Sequence, residues 1–178
     1  AVRHAEGADY RDVRSRYEQF LMRRLRDAGD SKRAIDINRH QLAAFEQNGK
    51  GRLFSLYSNL VSTYVSMGDI PQAEHYATRN RALLGQAKSW VSWGHYATNF
   101  TATVESDTGR LAEAAGRYAE AEAAYHKASR LQAETLRFLP QWPSAPPAAE
   151  FERLADVYLA AEGRNKVRQG RVGEGEAD

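Results

Sequence analysis

The chain has 178 residues, and its 25 basic and 23 acidic residues give a formal net charge of only +2, so no overall field draws it to nucleic acid or to an acidic membrane. It has no cysteine, which excludes disulfides, thiolate metal sites and a thiol nucleophile. No run of about 18 apolar residues occurs, so we expect no membrane-spanning helix, and the length suits one domain of three to four helical hairpins.

A glycine followed by Asp or Arg recurs along the chain. Four of these pairs, at Gly29-Asp30, Gly68-Asp69, Gly109-Arg110 and Gly170-Arg171, mark the predicted repeat. Alanines stand five residues after the first three of these glycines, at Ala34, Ala73 and Ala114. Glycine supplies the left-handed residue that ends a helix, and a small residue one turn into the next helix lets two helices approach closely. The pattern predicts repeated helical hairpins.

The first two hairpins are predicted over residues 8–48 and 53–85. Apolar residues at helical spacing lead up to the first turn at Gly29, and the glycines at 49 and 51 are expected to separate the two hairpins. The second hairpin turns at Gly68, with Pro71 in the first turn of its second helix, where proline sacrifices no hydrogen bond. Gly85 is predicted to end that helix.

A third hairpin is predicted over residues 89–138, with its turn at Asp107-Thr108-Gly109. The proline-rich residues 139–148 are expected to form an extended spacer, because proline interrupts a helix interior. Residues 149–178 then form a partial fourth hairpin that turns at Gly170. Since its last residues carry no apolar face, we expect the chain to be a fragment that continues beyond Asp178 in the natural protein.

Two stretches resemble the tetratricopeptide repeat, the run Tyr57, Leu60, Tyr64, Gly68, Ala73 and the run Gly109, Ala114, Tyr118, Ala121. The resemblance covers about residues 53–131, and it departs from the family at Met22 and Val61, where a small residue is usual, and in glycine spacings wider than about 34 residues. It implies an all-α fold, a single domain over residues 1–178 of antiparallel helical hairpins stacked as a tetratricopeptide-like solenoid. The resemblance further implies a protein-interaction scaffold, for which we expect neither enzymatic activity nor a cofactor.

In such arrays the first helix of each hairpin lines a concave surface that holds a peptide. Carried onto this chain, the resemblance implies a peptide-binding groove formed by Arg16, Gln19 and Arg23 of the first hairpin, Ser55, Asn59 and Ser62 of the second, and Tyr96, Asn99 and Thr103 of the third. Arginine suits carboxylates and asparagine can bond a peptide backbone, so the expected partner is a protein or peptide with an acidic segment or a free C-terminus. The alternative is that these residues form the solvated face of amphipathic helices.

Other functions and partners stay open from the sequence. The segment from Phe151 to Gly170 resembles bacterial repeat proteins that carry a caspase-like CHAT peptidase domain, which implies a regulatory arm whose catalytic domain lies outside this chain. Arginine-rich helix faces favour nucleic acid, but acidic residues are interleaved and no stacking aromatic is organised beside them.

The histidines lack metal-ligand spacing, so no metal site is predicted. Incomplete solenoid ends suggest a homodimer, and a start at Ala1 leaves both cytoplasm and periplasm open.

Overall fold

The chain is all-helical wherever the computed structural model describes it. The described residues are 17, 18, 20–45, 50–87, 89, 93–141 and 148–171, with the side chains of residues 50, 51, 93–96 and 141 excepted. Within these ranges there are seven α-helices and no β-strand, which confirms the all-α prediction. No helix in the same ranges is both long and apolar enough to cross a membrane.

The helices follow one another with short connections. Helix α1 includes residues 17, 18 and 20–27. The others are α2 (Ser31–Phe45), α3 (Lys50–Ser66), α4 (Ile70–Ala87), α5 (Trp93–Ala114), α6 (Tyr118–Phe138) and α7 (Ala148–Arg168), with a short 3-10 helix (Leu139–Gln141) after α6. Helix α3 packs against α2, α4 and α5, helix α5 also packs against α4 and α6, and α6 packs against α7.

Four turns share one backbone geometry. Each contains a glycine with positive φ, at Gly29, Gly68, Gly116 and Gly170. In each turn the glycine N–H bonds the carbonyl three residues back, and the next N–H bonds the carbonyl five residues back, which is the Schellman arrangement that ends a helix. These turns end α1, α3, α5 and α7.

The predicted turn at Asp107-Thr108-Gly109 is wrong. Helix α5 continues without a break to Ala114, and the turn falls at Gly116, whose φ is 74°. Gly109 is a buried helical residue instead, and a Cβ atom placed on it would lie 3.0 Å from two ring carbons of Tyr125 in α6. This glycine therefore serves the close approach of α5 to α6, and Ala121, five residues after Gly116, takes the place predicted for Ala114 in the repeat.

Three predicted boundaries also move. Helix α4 passes through Gly85 to Ala87, because Gly85 keeps an ordinary helical φ and breaks nothing. Helix α3 already begins at Lys50 and so includes Gly51, which was expected to lie between the hairpins. The start of the predicted extended spacer is the 3-10 helix, and residues 142–147 lie outside the described ranges.

The core has two parts. The larger part includes residues of all five helices from α1 through α5. Its most buried side chains belong to α3 and are 0–1% exposed: Phe54, Leu56, Leu60 and Val61. Phe54 stacks on Phe100 of α5 with ring centroids 4.1 Å apart. The smaller part joins α5, α6 and α7 and consists mainly of alanines packed around the rings of two tyrosines, with members Ala112, Ala121, Tyr125, Ala128, Tyr158 and Ala161. Helix α3 is thus the centre of the larger core.

Gly109→Ala is expected to lower the free energy of unfolding by about 1 kcal/mol or more, since overpacking outweighs the gain in helix propensity. The Tyr125 ring cannot easily retreat, because it is 4% exposed and its hydroxyl donates to Glu113 at 2.9 Å. Urea denaturation followed by circular dichroism measures the change.

Gly85→Ala is the matched control for this substitution. An added Cβ at Gly85 would meet no described atom within 4 Å outside the adjacent backbone of its own helix, and the residue is helical. We therefore expect this variant to gain about 0.5–1 kcal/mol of stability. A Gly109→Ala protein as stable as Gly85→Ala would show that α5 and α6 do not approach as described.

Candidate functional site

A cleft of about 220 Å³ lies between the four odd-numbered helices. Helices α1, α3, α5 and α7 each contribute side chains to it, and the even-numbered helices contribute none among the described residues. The lining residues are Arg23, Arg26, Ser55, Ser58, Asn59, Ser62, Thr103, Arg110, Arg153, Leu154, Val157 and Tyr158. We call this set the central cleft.

Five of the nine side chains predicted to form a groove line the central cleft. They are Arg23, Ser55, Asn59, Ser62 and Thr103. Asn99 lies one turn before Thr103 and is half-buried, but it is not among the lining residues. Arg16, Gln19 and the side chain of Tyr96 lie outside the described residues.

Several other residues of the cleft were not predicted from the sequence. Arg110 was placed beyond the end of its helix because a turn was expected at Gly109, whereas α5 continues past it. Arg153, Leu154 and Val157 belong to α7, whose position against α6 depends on tertiary contacts. Ser58 had a usable signal, since it shares one helical face with Ser55 and Ser62.

The charge of the central cleft has a single sign. Four arginines line it, at Arg23, Arg26, Arg110 and Arg153, and no acidic residue does so among the described residues. Arg23 and Arg153 are exposed and form no ion pair or hydrogen bond with the described residues. Two carboxylates of the described residues pair with lining arginines. Asp107, which is only 1% exposed, pairs with Arg110 at 3.0 Å, and the exposed Asp27 lies 3.4 Å from Nη2 of Arg26. Neither carboxylate is a lining residue, so the described lining of the cleft is cationic.

Asp107 joins three helices through its carboxylate. Its Oδ1 accepts from the Ser58 hydroxyl of α3 at 2.7 Å and from Nη1 of Arg110 at 3.0 Å, and its Oδ2 accepts from Nδ2 of Asn80 of α4 at 2.8 Å. Burial raises the pKa of this carboxyl, while Arg110, Ser58 and Asn80 act in the opposite direction. We call Asp107, Arg110, Ser58 and Asn80 the Asp107 network.

Two lining arginines are oriented by serines of α3. Nη1 of Arg26 in α1 donates to Ser62 Oγ at 2.9 Å, and Nη1 of Arg110 in α5 donates to Ser58 Oγ at 3.3 Å. Ser58 and Ser62 are one helical turn apart, so the two guanidinium groups approach successive turns of α3 from two different helices. The side chains of Arg26 and Arg110 are 25% and 27% exposed, so both are half-buried.

Helix α7 forms one wall of the cleft, and polar contacts link it to α5 and α6. Glu162 faces Nδ1 of His126 in α6 at 3.2 Å and accepts from Lys166 of its own helix at 3.0 Å. Arg168 pairs with Glu113, and Arg171 pairs with Glu122 of α6 at 2.8 Å. Tyr158 is buried under the cleft, and burial raises the pKa of its phenol.

The described residues contain no group of three or more histidine or acidic side chains arranged to hold a metal ion. The chain was also compared with protein-family models, with curated proteins and with solved structures, and none of them matches it. The arginine forks and hydroxyl groups of the central cleft can bind an anionic, hydrogen-bonding ligand.

Proposed function

We propose that the helices form a divergent tetratricopeptide-like solenoid and that the protein is an interaction scaffold. Support for the solenoid comes from the repeated Gly-x-x-x-x-Ala spacing at Gly29, Gly68 and Gly116, each with the same turn geometry. It comes also from the shared cleft of α1, α3, α5 and α7, since the first helices of stacked hairpins line the concave surface of such arrays. The long α5 and α6 account for repeats wider than about 34 residues.

The ligand we propose for the central cleft is an acidic segment of a partner protein, bound in extended form. The observation that carries this proposal is that four arginines and no acidic residue line the cleft among the described residues. Like charges brought together in a cleft repel one another and attract a counter-charge, which both guides association and favours an anionic partner.

The other lining residues suit a peptide better than a small ion. Ser55, Asn59 and Thr103 offer hydroxyl and amide groups that can bond a peptide backbone. Leu154 and Val157 of α7 add an apolar patch at one wall, and Val157 is 44% exposed. An acidic peptide with interspersed apolar residues complements both surfaces.

A nucleic acid would need a different lining. Single-stranded nucleic acids bind where bases can stack on exposed aromatic rings beside a basic groove. The described part of the central cleft has one aromatic residue, Tyr158, and this ring is 5% exposed. The arginines alone supply a site for the phosphate backbone but no platform for bases, so the peptide is the better-supported ligand.

The proposal predicts that a fluorescein-labelled peptide of alternating Glu and Leu residues binds and that the matching Lys and Leu peptide does not. Replacing the two exposed arginines of the cleft, in Arg23→Glu/Arg153→Glu, is expected to weaken binding of the acidic peptide by about tenfold or more at about 0.15 M salt. Fluorescence anisotropy measures both affinities.

The control for this double variant is Arg130→Glu/Arg137→Glu. Both residues are exposed on α6, away from the central cleft, and the change in net charge is the same. We expect it to bind the acidic peptide nearly as the unmodified protein does. If the two double variants weaken binding equally, the attraction is a general charge effect and the cleft is not the site. A tighter complex with single-stranded RNA than with the peptide would favour the nucleic-acid function instead.

A further inference from the structure

We propose that the central cleft recognises a phosphorylated side chain of its peptide ligand, held between Arg26 and Arg110. This inference rests on the proposed peptide-binding function and specifies the chemistry of its anchoring group. It depends on the geometry of these two arginines rather than on the net charge of the cleft.

Arg26 and Arg110 come from different helices and meet the same side of α3. Each uses Nη1 to donate to a serine hydroxyl, at 2.9 Å for Ser62 and 3.3 Å for Ser58. Residues one turn apart on a helix have Cβ atoms about 5–6 Å apart, so the two guanidinium groups are attached to neighbouring points. Both groups line the same small cleft.

The serines hold the arginine forks in place before a ligand arrives. Arg110 is fixed further by Asp107, whose Oδ1 accepts from the same Nη1 at 3.0 Å. Nη2 of Arg26 is also engaged, by Oδ1 of Asp27 at 3.4 Å. A guanidinium group has five N–H donors, and each of the two arginines uses two of them in these contacts, so three remain for a ligand. Because the side chains are already ordered, less conformational entropy is lost on binding.

The charge and the donors of this pair fit a phosphoryl group better than a carboxylate. A carboxylate brings one charge and two oxygens, whereas a phosphorylated side chain brings about −1.5 to −2 charges and three strong acceptor oxygens. Two guanidinium forks can each engage such a group with two parallel hydrogen bonds. Arg23 and Arg153, which form no ion pair with the described residues, add positive charge at the same cleft, which favours the dianion further.

The test uses three labelled peptides that differ only at one central position, which is serine, glutamate or phosphoserine. We expect the phosphoserine peptide to bind about tenfold more tightly than the glutamate peptide and the serine peptide to bind weakest. In Arg26→Lys, which keeps the charge but loses the fork, the preference for phosphoserine over glutamate should fall to about threefold or less.

Arg24→Lys is the matched control, because Arg24 is a neighbouring exposed arginine of α1 that does not line the cleft. This variant should keep the full preference for phosphoserine. Equal affinity for the glutamate and phosphoserine peptides would overturn the phosphoryl site and leave the peptide groove standing. A preference that survives in Arg26→Lys would also overturn it, and failure of all three peptides to bind would overturn both proposals.

Discussion

Asp107→Ala is expected to lower the free energy of unfolding by about 3–5 kcal/mol, because it removes a buried carboxylate and leaves the three side chains that donate to it without this acceptor. Without the carboxylate, Arg110 loses its counter-charge, and the donors of Ser58 and Asn80 lose their acceptor. Ser58 and Asn80 are on α3 and α4, so the loss falls where α3, α4 and α5 meet. Urea denaturation at neutral pH measures the effect.

An exposed carboxylate supplies the comparison. Asp36 of α2 is exposed, and Asp36→Ala should change the free energy of unfolding by only about 0.5 kcal/mol. If Asp107→Ala were as mild as Asp36→Ala, the Asp107 network would have no role in stability.

The same carboxylate makes the free energy of unfolding depend on pH, and Asp107→Asn removes this dependence. Burial raises the pKa of Asp107 above its ordinary value of 3.8, so the folded state holds this proton more tightly than the unfolded state. Protonated Asp107 makes its whole contribution to stability below pH 3.8, and this contribution is lost as the pH rises through the folded-state pKa. The stability of the unmodified protein relative to Asp107→Asn should therefore decrease with rising pH over the acidic range. An increase would mean that Arg110 outweighs burial.

Phe54→Ala is expected to lower the free energy of unfolding by about 3–5 kcal/mol. Phe54 is 1% exposed, and its ring stacks on Phe100 with an interplanar angle of 12°. Its removal leaves a cavity between α3 and α5, two of the helices that form the central cleft. Thermal and urea denaturation measure the loss.

Two variants make the cause of that loss identifiable. Phe54→Leu keeps most of the volume and should cost about 1.5 kcal/mol or less. Phe20 of α1 is 56% exposed, and Phe20→Ala should cost only about 0.5 kcal/mol. A small effect of Phe54→Ala would contradict the placement of α3 at the centre of the core.

The helices could be predicted from local sequence, but one turn could not. Gly109 and Gly116 are each followed by arginine, and each has an alanine five residues later, so the local pattern is the same at both. They differ in a tertiary contact, because Gly109 lies against the ring of Tyr125, whereas a Cβ at Gly116 would meet no described atom within 4 Å beyond its chain neighbours. No spacing rule contains that contact. Gly29 and Gly68 carried no such ambiguity and end their helices as predicted.

The residues of the candidate site likewise differ in whether the local sequence predicts them. Ser55, Asn59 and Ser62 share a face of α3 that follows from helical spacing alone, and all three line the central cleft. Arg110 was missed because the length of α5 was underestimated, and the Asp107 network was missed with it. Arg153 reaches the cleft only because α7 packs against α6. Residues placed by one helix were predictable, and residues placed by packing between helices were not.

Site-specific photocrosslinking tests most directly whether an acidic peptide lies in the central cleft. A photoreactive residue at Ser55 projects into the cleft, and one at Arg130 lies on the exposed side of α6. With the Glu and Leu peptide, we expect crosslinked product from position 55, almost none from position 130, and loss of the product at position 55 in Arg23→Glu/Arg153→Glu. Equal or greater crosslinking from position 130 would contradict the proposal that this cleft is the binding site.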